Sequence, residues 1–235
     1  TQPYNCWEYY QDLMNVIQQC QANDQLAIIV GGTGLYIRTL YYGPQNTPPS
    51  DPKIRNHWIQ KIESDGIKSG YAIIQAKDPE YAKTITSHDT QKIIRALEIM
   101  SISNKPVSSF KQTPYTYPFN IHYFLLQQAR DIITERIEKR THKMFESGFM
   151  DELNTLVANG LTLEYQSAKA VGYRQYLEAP NQDRSDLIEK IVIATRQYAK
   201  KQRTWFKKQH YFTPLDMCNM TTEAIISYIQ DQLTI

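Results

Sequence analysis

The segment Leu26-Ala27-Ile28-Ile29-Val30-Gly31-Gly32-Thr33-Gly34 decides the fold class of this chain. Its first five residues are apolar and rich in β-branched side chains, a pattern typical of a strand buried on both faces of a parallel sheet. The glycines predict a tight turn, and a helix is expected to begin near Leu35. An amphipathic helix over 7–20 precedes the strand. The order helix, buried strand, glycine turn, helix indicates an α/β fold.

The stretch from residue 45 to 118 differs in character and predicts an all-helical module inserted into the α/β core. Asp51-Pro52 and Asp78-Pro79 each resemble a helix N-cap followed by the first helical residue. Asp89 is expected to cap a third helix, whose apolar face comprises Ile93, Ile94, Leu97 and Met100. Proline-rich segments at 43–50 and 111–118 are the expected linkers on either side of this module.

The remainder of the chain predicts a mostly helical second part of the core. Two short strands are expected at 121–126 and 210–212, and helices at 131–146, 149–159, 185–208 and 222–233. Three strand candidates are fewer than a parallel sheet with a doubly buried strand requires. We therefore expect a partial sheet, with further strands N-terminal to Thr1. The predicted domains are 1–44 (first part of the core), 45–118 (helical insertion) and 119–235 (second part of the core).

The composition excludes several classes of protein and of binding site. The 235 residues are 41% apolar, enough for a real core, and the net charge of +2 makes any nucleic-acid signal a local one. Three scattered cysteines fit a reducing cytosol better than a disulfide framework. The five histidines lie too far apart for a zinc site, so no metal ligands are expected among these residues. No apolar run is long enough for a membrane span.

The glycine turn has two interpretations. A glycine-rich turn at the carboxyl end of a buried strand lets a ligand approach the backbone, and the hydroxyl of Thr33 could contact that ligand. The pattern is neither G-x-G-x-x-G nor a P-loop, because no Lys-Ser/Thr pair follows. On pattern alone, a plain structural turn is the favoured interpretation.

The helix at 185–208 carries a basic stripe that could bind phosphate. Arg196, Lys200, Arg203 and Lys207 are spaced to share one face, whereas Ile188, Ile191, Tyr198, Gln202 and Trp205 are expected opposite. Between 196 and 208 there are six basic residues and no acidic one. An unrelieved basic face suits contact with a phosphate backbone. An ordinary solvated face explains the pattern equally well.

Two smaller cationic groups remain ambiguous from the residues alone. Lys169 and Arg174 flank Gly172 and could converge on one phosphate, although two exposed loop cations is the simpler interpretation. Gln91, Lys92 and Arg95 begin the third helix of the insertion and could touch nucleic acid or solvent. No Ser-His-Asp, Cys-His or paired-carboxylate arrangement is discernible. A proton acceptor for enzymatic chemistry is therefore not expected within these residues.

Six segments in order resemble the tRNA dimethylallyltransferase family, also called tRNA isopentenyltransferases. One such segment would be a weak signal, whereas six in order over nearly the whole chain are specific. The absence of the C-terminal zinc finger of eukaryotic relatives indicates a bacterial-type member. The six segments are Val30–Tyr36, Ser50–Arg55, His88–Glu98, Gly148-Phe149 followed by Glu152, Ala170–Gln175, and Ala194–Trp205.

The resemblance implies transfer of a dimethylallyl group from dimethylallyl diphosphate to N6 of the adenine adjacent to the anticodon in tRNA. It implies Mg²⁺ and cations that neutralise the departing diphosphate, and a flipped-out adenine. The expected partners are the tRNA anticodon stem-loop and the prenyl diphosphate, bound by a cytoplasmic monomer. In the family a P-loop segment, through which Mg²⁺ is held, and an aspartate base precede the region that the six segments span. We therefore expect a chain that lacks its phosphate cradle and is inactive alone.

The resemblance also implies roles for individual residues. Thr33 would be the catalytic-site contact to the flipped adenine, so the glycine turn would line the channel and not cradle phosphate. Arg174 and Lys169 would lie at the diphosphate or channel; Lys169 stands where relatives carry arginine, which reduces a bidentate contact to a point charge. The expected tRNA contacts are Thr33, Arg55, Gln91, Lys92, Ile93, Ile94, Arg95, Gln197, Tyr198, Ala199, Lys200, Lys201 and Gln202.

Three alternatives stay open at this point. An adenylate isopentenyltransferase would perform the same chemistry on a free nucleotide, but a mononucleotide needs neither the insertion nor the basic stripe. A P-loop-type kinase fold acting on small substrates is a second alternative. A non-catalytic RNA-binding module is the third. The sequence upstream of Thr1 would discriminate among them, because a strand followed by a P-loop and an aspartate supports the transferase.

Overall fold

The computed structural model describes residues 4–43, 46–110 and 113–233. The chain divides into two compact units, 36–116 and the combination of 1–35 with 117–235. We call them the inserted unit and the main unit. Residues 44 and 45, where the first predicted domain boundary falls, lie outside the described residues, as do residues 111 and 112 of the predicted return linker. The boundaries predicted at 44/45 and 118/119 stay predictions.

Helices dominate both units. The inserted unit contains most of α2 and all of α3 to α6, and the main unit contains α1, α7 to α11 and two short strands. The helices are α1 Cys6–Ala22, α2 Gly34–Tyr42, α3 Pro52–Asp65, α4 Ile67–Lys77, α5 Pro79–Ala82, α6 Thr90–Ser103, α7 Arg130–Glu146, α8 Phe149–Ala158, α9 Tyr173–Glu178, α10 Arg184–Phe206 and α11 Thr222–Leu233.

The inserted unit is built around α6, against which α3 and α4 pack. Ile93 and Leu97 of α6 are almost fully buried and form the centre of its core. Gly70 of α4 lets the two helices approach closely, since an added Cβ would lie 3.0 Å from the Ile93 side chain. The core cluster comprises Ile62, Ile74, Ala82, Ile85, Ile93, Ile94, Ala96 and Leu97.

Two of the three predicted aspartate caps are confirmed. Asp51 accepts from the backbone N–H groups of Lys53 and Ile54 at 2.8 and 3.2 Å, and Asp78 accepts from Tyr81 N–H at 3.1 Å. Asp89 occupies the N-cap position of α6, but its carboxylate makes no capping bond. It pairs instead with Lys92 Nζ at 2.7 Å, because that ammonium lies one turn along the same helix.

The main unit has a smaller core, formed where α7, α8 and α10 meet. Phe145, Phe149 and Leu153 pack against Leu187 and Ile191. Gly148, at φ +96°, lets the chain turn sharply between α7 and α8. The packing holds α7 and α10 side by side, and this arrangement positions the basic stripe described below.

The main unit also contains a two-stranded parallel sheet, which confirms a mixed α/β chain rich in helix. Strand β1, Phe124–Gln127, pairs with β2, Thr213–Asp216, in the register Phe124↔Thr213. Both strands begin about three residues later than predicted. The preceding residues pack as aromatic pairs, with Tyr123 5.2 Å from Tyr211 and 5.7 Å from Phe212 between ring centroids, so they support the strand ends without belonging to them.

The buried strand predicted at 26–30 was wrong. These residues form neither helix nor strand, and the side chains of Ile28 and Val30 are 77% and 91% exposed. A strand buried on both faces needs hydrogen-bonded neighbours. Within the described residues the sheet consists of β1 and β2 alone, and neither pairs with this segment.

Candidate nucleic-acid interface

The glycine turn lies against α10 in the main unit. Gln202 Nε2 donates a hydrogen bond to Gly32 O at 2.9 Å, and the indole of Trp205 covers Gly34. A Cβ added to Gly34 would lie 2.6 Å from the indole ring, so only glycine permits this approach. Thr33 is exposed between these two contacts. The turn therefore presents its hydroxyl to solvent from a backbone that α10 holds in place.

The opposite face of α10 is cationic, as the spacing predicts. Arg196, Lys200, Arg203 and Lys207 are all exposed. The stripe is not wholly unrelieved, because Glu138 of α7 lies 3.9 Å from Arg196 Nη1. Tyr198, expected on the apolar side, is 47% exposed. It lies two helical turns beyond Ile191 on the same face, but it does not belong to the core cluster that contains Ile191.

The cationic face of α10 and its neighbour α7 enclose an open groove of about 280 Å³. Its rim carries four basic residues, of which Arg130 comes from α7 and was missed by sequence reasoning. The apolar part of its lining comes from Ile133, Ile137 and Ile193 with Ala199. A lining that combines apolar side chains with guanidinium groups suits a ligand with a flat ring and a phosphate. The basic rim residues are Arg130, Arg196, Lys200 and Arg203.

The six predicted contacts in residues 197–202 divide by position. Gln197, Ala199 and Lys200 line the groove. Tyr198 and Lys201 are exposed beside it. Gln202 is half-buried and bonded to the glycine turn, so it links the two features instead of lying in the groove.

A second cationic group lies in the inserted unit around a buried carboxylate. Glu98 is fully buried, and its Oε2 accepts from Arg95 Nη1 at 2.9 Å and from Arg55 Nη1 at 3.4 Å. Arg55 Nη2 donates to Gln91 Oε1 at 2.9 Å. The structure thus brings together three predicted contact residues from α3 and α6. Glu98, the shared partner of the two arginines, was missed.

The ionised form of Glu98 is strongly supported. Burial opposes ionisation, but hydrogen bonds from Ser50 and Arg95, the charge of Arg95 and the Asp51 N–H hold the pKa of this carboxyl below its ordinary value. Ser50 Oγ lies 2.5 Å and Asp51 N 2.8 Å from Oε1. A signal was available in the sequence, since Glu98 follows Ile94 by four residues and therefore lies on the buried side of α6.

Three other predicted contacts on α6 have distinct positions. Ile93 and Ile94 are 0% and 4% exposed, so their side chains belong to the core and not to an RNA-facing surface. The reason is the helical period, which puts both on the stripe that packs against α3 and α4. Lys92 is exposed, with its ammonium paired to Asp89.

Lys169 and Arg174 are both exposed in the main unit. Lys169 ends a short 3-10 helix, Ser167–Lys169, and Arg174 lies in the first turn of α9. Gly172, at φ +103°, turns the chain between them and packs against Phe149. Arg174 Nε lies 3.8 Å from Glu178 Oε1, a loose surface pair that leaves the guanidinium accessible.

Across residues 4–43, 46–110 and 113–233, no three His, Cys, Asp or Glu side chains are grouped as metal ligands would be. No helix in this part of the chain is both long and apolar enough to cross a membrane.

Comparison with known proteins gives one consistent result. A sequence model described as IPP transferase matches residues 1–209. A tRNA dimethylallyltransferase of Protochlamydia amoebophila is 37% identical over 235 residues, which cover 96% of this chain and 68% of that protein. The crystal structure of a tRNA isopentenylpyrophosphate transferase from Bacillus halodurans aligns with a TM-score of 0.65 at 25% identity, over 99% of this chain and 73% of that one.

A eukaryotic dimethylallyltransferase acting on tRNA shares the fold, with a TM-score of 0.82 at 24% identity, over 99% of this chain and 63% of that one. The extent of the family match and the identity to the Protochlamydia protein settle the relationship. The chain belongs to the IPP transferase family.

Proposed function

We propose that this chain prenylates tRNA, transferring a dimethylallyl group from dimethylallyl diphosphate to N6 of the adenine adjacent to the anticodon. The product is N6-isopentenyladenosine. Family membership supports the activity, since the relatives matched over most of their length are named for it. The anticodon stem-loop and the prenyl diphosphate are the partners that we assign, in a monomeric cytoplasmic enzyme.

The position of α10 supports the proposal independently of the family match. Helix α10 touches the glycine turn through Gln202 and Trp205, and on its other side it carries the basic groove shared with α7. A rigid helix therefore joins a phosphate-binding face to the exposed Thr33. RNA held by its backbone on Arg196, Lys200 and Arg203 would be held at a fixed position relative to this hydroxyl.

In the proposed reaction, the N6 amine attacks the allylic carbon as the bond from that carbon to the diphosphate oxygen breaks. The amine loses one proton and the diphosphate leaves with the bonding electron pair. Negative charge grows on the leaving group, so nearby cations stabilise the transition state. We assign this task to Arg174 and Lys169. We assign to Thr33 a hydrogen bond that orients the flipped adenine.

The inserted unit supplies the second grip on RNA in this proposal. Arg55, Gln91, Lys92 and Arg95 contact the stem-loop backbone. The support is that Arg55, Gln91 and Arg95 share one network, in which the side chains of Arg55 and Arg95 are 31% and 29% exposed. Lys92 is exposed on the same helix. Ile93 and Ile94 act by packing the helix that carries them.

Mg²⁺ is expected to accompany the prenyl diphosphate, and a general base is expected to accept the proton that the amine loses. When bound, the cation would neutralise the diphosphate oxygens. No step assigned above to a residue of this chain depends on it.

Substitution of Lys200 and Lys201 by alanine tests the α10 grip. We expect tRNA affinity to fall about tenfold or more at low salt, and the slope of log affinity against log salt to shrink by roughly 1 to 2. The matched control is the double variant Lys139→Ala and Lys143→Ala, because both lysines are exposed on α7 among Glu135, Glu138 and Glu146. Equal affinities and slopes for the two double variants would contradict the proposal.

Substitution of Thr33 by valine tests the site at the turn. Valine keeps the shape and removes the hydroxyl, so kcat should fall roughly ten- to a hundredfold while tRNA affinity stays near that of the parent. The assay follows the transfer of labelled prenyl groups from dimethylallyl diphosphate to unmodified tRNA by the complete encoded protein. An unchanged kcat would remove Thr33 from the catalytic site.

A further inference from the structure

We propose that Glu98 is a positioning residue that presents Arg55 and Arg95 as a preformed pair of donors to an RNA phosphate. The inference rests on the proposed function, in which these two arginines bind the RNA. Glu98 itself touches no RNA. Its role is to fix, before binding, the side chains that do.

The contacts of Glu98 are divided between its two oxygens. Oε1 accepts from Ser50 Oγ and Asp51 N, at 2.5 and 2.8 Å. Oε2 accepts from both guanidinium groups, at 2.9 Å from Arg95 and 3.4 Å from Arg55. A carboxylate accepts about four hydrogen bonds, so these contacts occupy it fully. Oε1 therefore bonds α6 to the segment that precedes α3. Oε2 bonds only to the two arginines.

Each arginine is held at a second point as well. Arg95 Nη2 donates to Pro48 O at 2.6 Å, and Arg55 Nη2 donates to Gln91 Oε1 at 2.9 Å. Two points of attachment fix the plane of a guanidinium group. A fixed side chain loses little conformational entropy when it binds a ligand, so the cost of association is lower.

The pair nonetheless retains the capacity to bind an anion. A guanidinium has five N–H donors, and the contacts described engage two on each arginine. Both side chains are about one-third exposed. Two positive charges share one negative charge, which leaves a net charge of +1 in the network. Two oxygens of one phosphate can accept a pair of parallel N–H bonds from a guanidinium group.

A purely structural tie is the competing explanation, and the arrangement argues against it. Oε1 of Glu98 fastens residues 50 and 51 to α6, and Arg95 adds a bond to Pro48 O. Burying a carboxylate is costly unless it is fully paired, and an apolar residue of similar size would serve packing as well or better. Arg55 makes no contact with residues 48–51 in this network, so the tie does not explain why Glu98 also accepts from it.

The experiment measures tRNA modification by the complete encoded protein carrying Glu98→Gln. The amide keeps the shape but replaces one acceptor by a donor that opposes the arginines. We expect KM for tRNA to rise about tenfold, kcat to change less than twofold, and the salt slope of binding to shrink by roughly 1. Measurements are made below the unfolding midpoint of every variant.

The matched control is Asp78→Asn, since Asp78 is a second buried carboxylate of the same unit whose contacts are backbone N–H groups of Tyr81 and Ser108. It should lose stability yet keep the parental KM and salt slope. Ser50→Ala, which spares both arginine contacts, should also keep them. If Glu98→Gln does not fold, Glu98→Asp takes its place, because its shorter reach also releases the arginines.

The arginine and glutamate variants distinguish RNA binding by Arg55 and Arg95 from the positioning role of Glu98. If Arg55→Ala and Arg95→Ala leave KM and salt slope unchanged, the proposed RNA grip of the inserted unit fails, and the inference with it. If the arginine variants weaken binding while the Glu98 variant behaves like Asp78→Asn, the grip stands and the positioning role is overturned. A raised KM and a reduced slope for Glu98 and the arginines alike support it.

Discussion

Two β-branched apolar runs in this chain have opposite fates. Ile93 and Ile94, in the inserted unit, are 0% and 4% exposed, whereas Ile28 and Val30, in the main unit, are 77% and 91% exposed. The first pair lies on a helix whose packing partners, α3 and α4, come from the preceding forty residues. The second lies in a segment that only neighbouring strands could cover. Local sequence therefore suffices to bury the first pair and does not suffice for the second.

The largest expected effect comes from the same substitution in both runs. Ile93→Ala should destabilise the chain by about 2–5 kcal/mol, because it empties a fully packed site. Ile28→Ala should change stability by less than about 0.5 kcal/mol, since the side chain is already solvated. Urea unfolding of the 235-residue chain measures both. Equal losses of unfolding free energy for the two variants would contradict this difference and show that the segment 26–30 is covered in solution.

Acid should weaken the inserted unit before the main unit. Glu98 and Asp78 are its buried carboxylates, and for each the hydrogen bonds outweigh burial and hold the pKa below the ordinary value. A depressed pKa stabilises the fold above the ordinary value, 4.5 for Glu98, and the stabilisation is lost as pH falls through the folded-state pKa. Glu98→Gln should therefore cost about 1.5–3 kcal/mol at pH 7 and less at pH 3.

The control for this pH dependence is Glu135→Gln in the main unit. The pKa of Glu135 is also lowered, by its hydrogen bond from Lys139, but the carboxylate is exposed. We expect no measurable change in the urea midpoint at either pH. A Glu98→Gln penalty that persisted unchanged at pH 3 would show that ionisation of Glu98 does not stabilise the inserted unit.

A substitution at the glycine turn tests whether the main unit is tightly packed between Gly34 and Trp205. Gly34→Ala should destabilise by about 1–3 kcal/mol, because the new Cβ would meet the Trp205 ring at 2.6 Å. Gly31→Ala, into open space, should be nearly neutral. In the inserted unit, Gly70→Ala should cost less than Gly34→Ala, since better helix propensity offsets its 3.0 Å contact. Thermal unfolding of the three variants gives this order or refutes it.

The smallest expected difference concerns helix caps in the two units. Asp51→Ala should cost about 0.5–2 kcal/mol, because the carboxylate caps two N–H groups of α3. Asp183→Ala, at the N-cap of α10 where no side-chain capping bond is made, should cost less than about 0.5 kcal/mol. Shifts in the thermal midpoint measure both, and a larger shift for Asp183 would contradict the assignment.

Sequence reasoning succeeded where structure depends on neighbours in the chain. The terminal helix was predicted at 222–233 and is found there, and the caps of Asp51 and Asp78 follow from aspartate before proline. The basic face of α10 follows from the helical period. Each of these features needs only residues within a few turns of one another.

It failed where a residue depends on a distant partner. The segment 26–30 had the composition of a buried strand but no strand to pair with among the described residues. Strands β1 and β2 begin about three residues later than predicted, after residues that pack as aromatic pairs. The groove required Arg130 of α7 beside α10, a pairing that no local pattern reveals. Glu98 was overlooked because its arginine partner Arg55 lies 43 residues earlier in the chain.

The indole of Trp205, stacked over Gly34, gives the turn an optical reporter. Tryptophan emission responds to the polarity around the ring, and this ring is half-buried at the place where the adenine is proposed to arrive. With Trp7 and Trp58 replaced by phenylalanine, Trp205 would be the one tryptophan left in the 235 residues, and excitation near the red edge of the indole band would avoid the 17 tyrosines. Arrival of the nucleobase could then be timed in a stopped-flow instrument, separately from the prenyl transfer that follows.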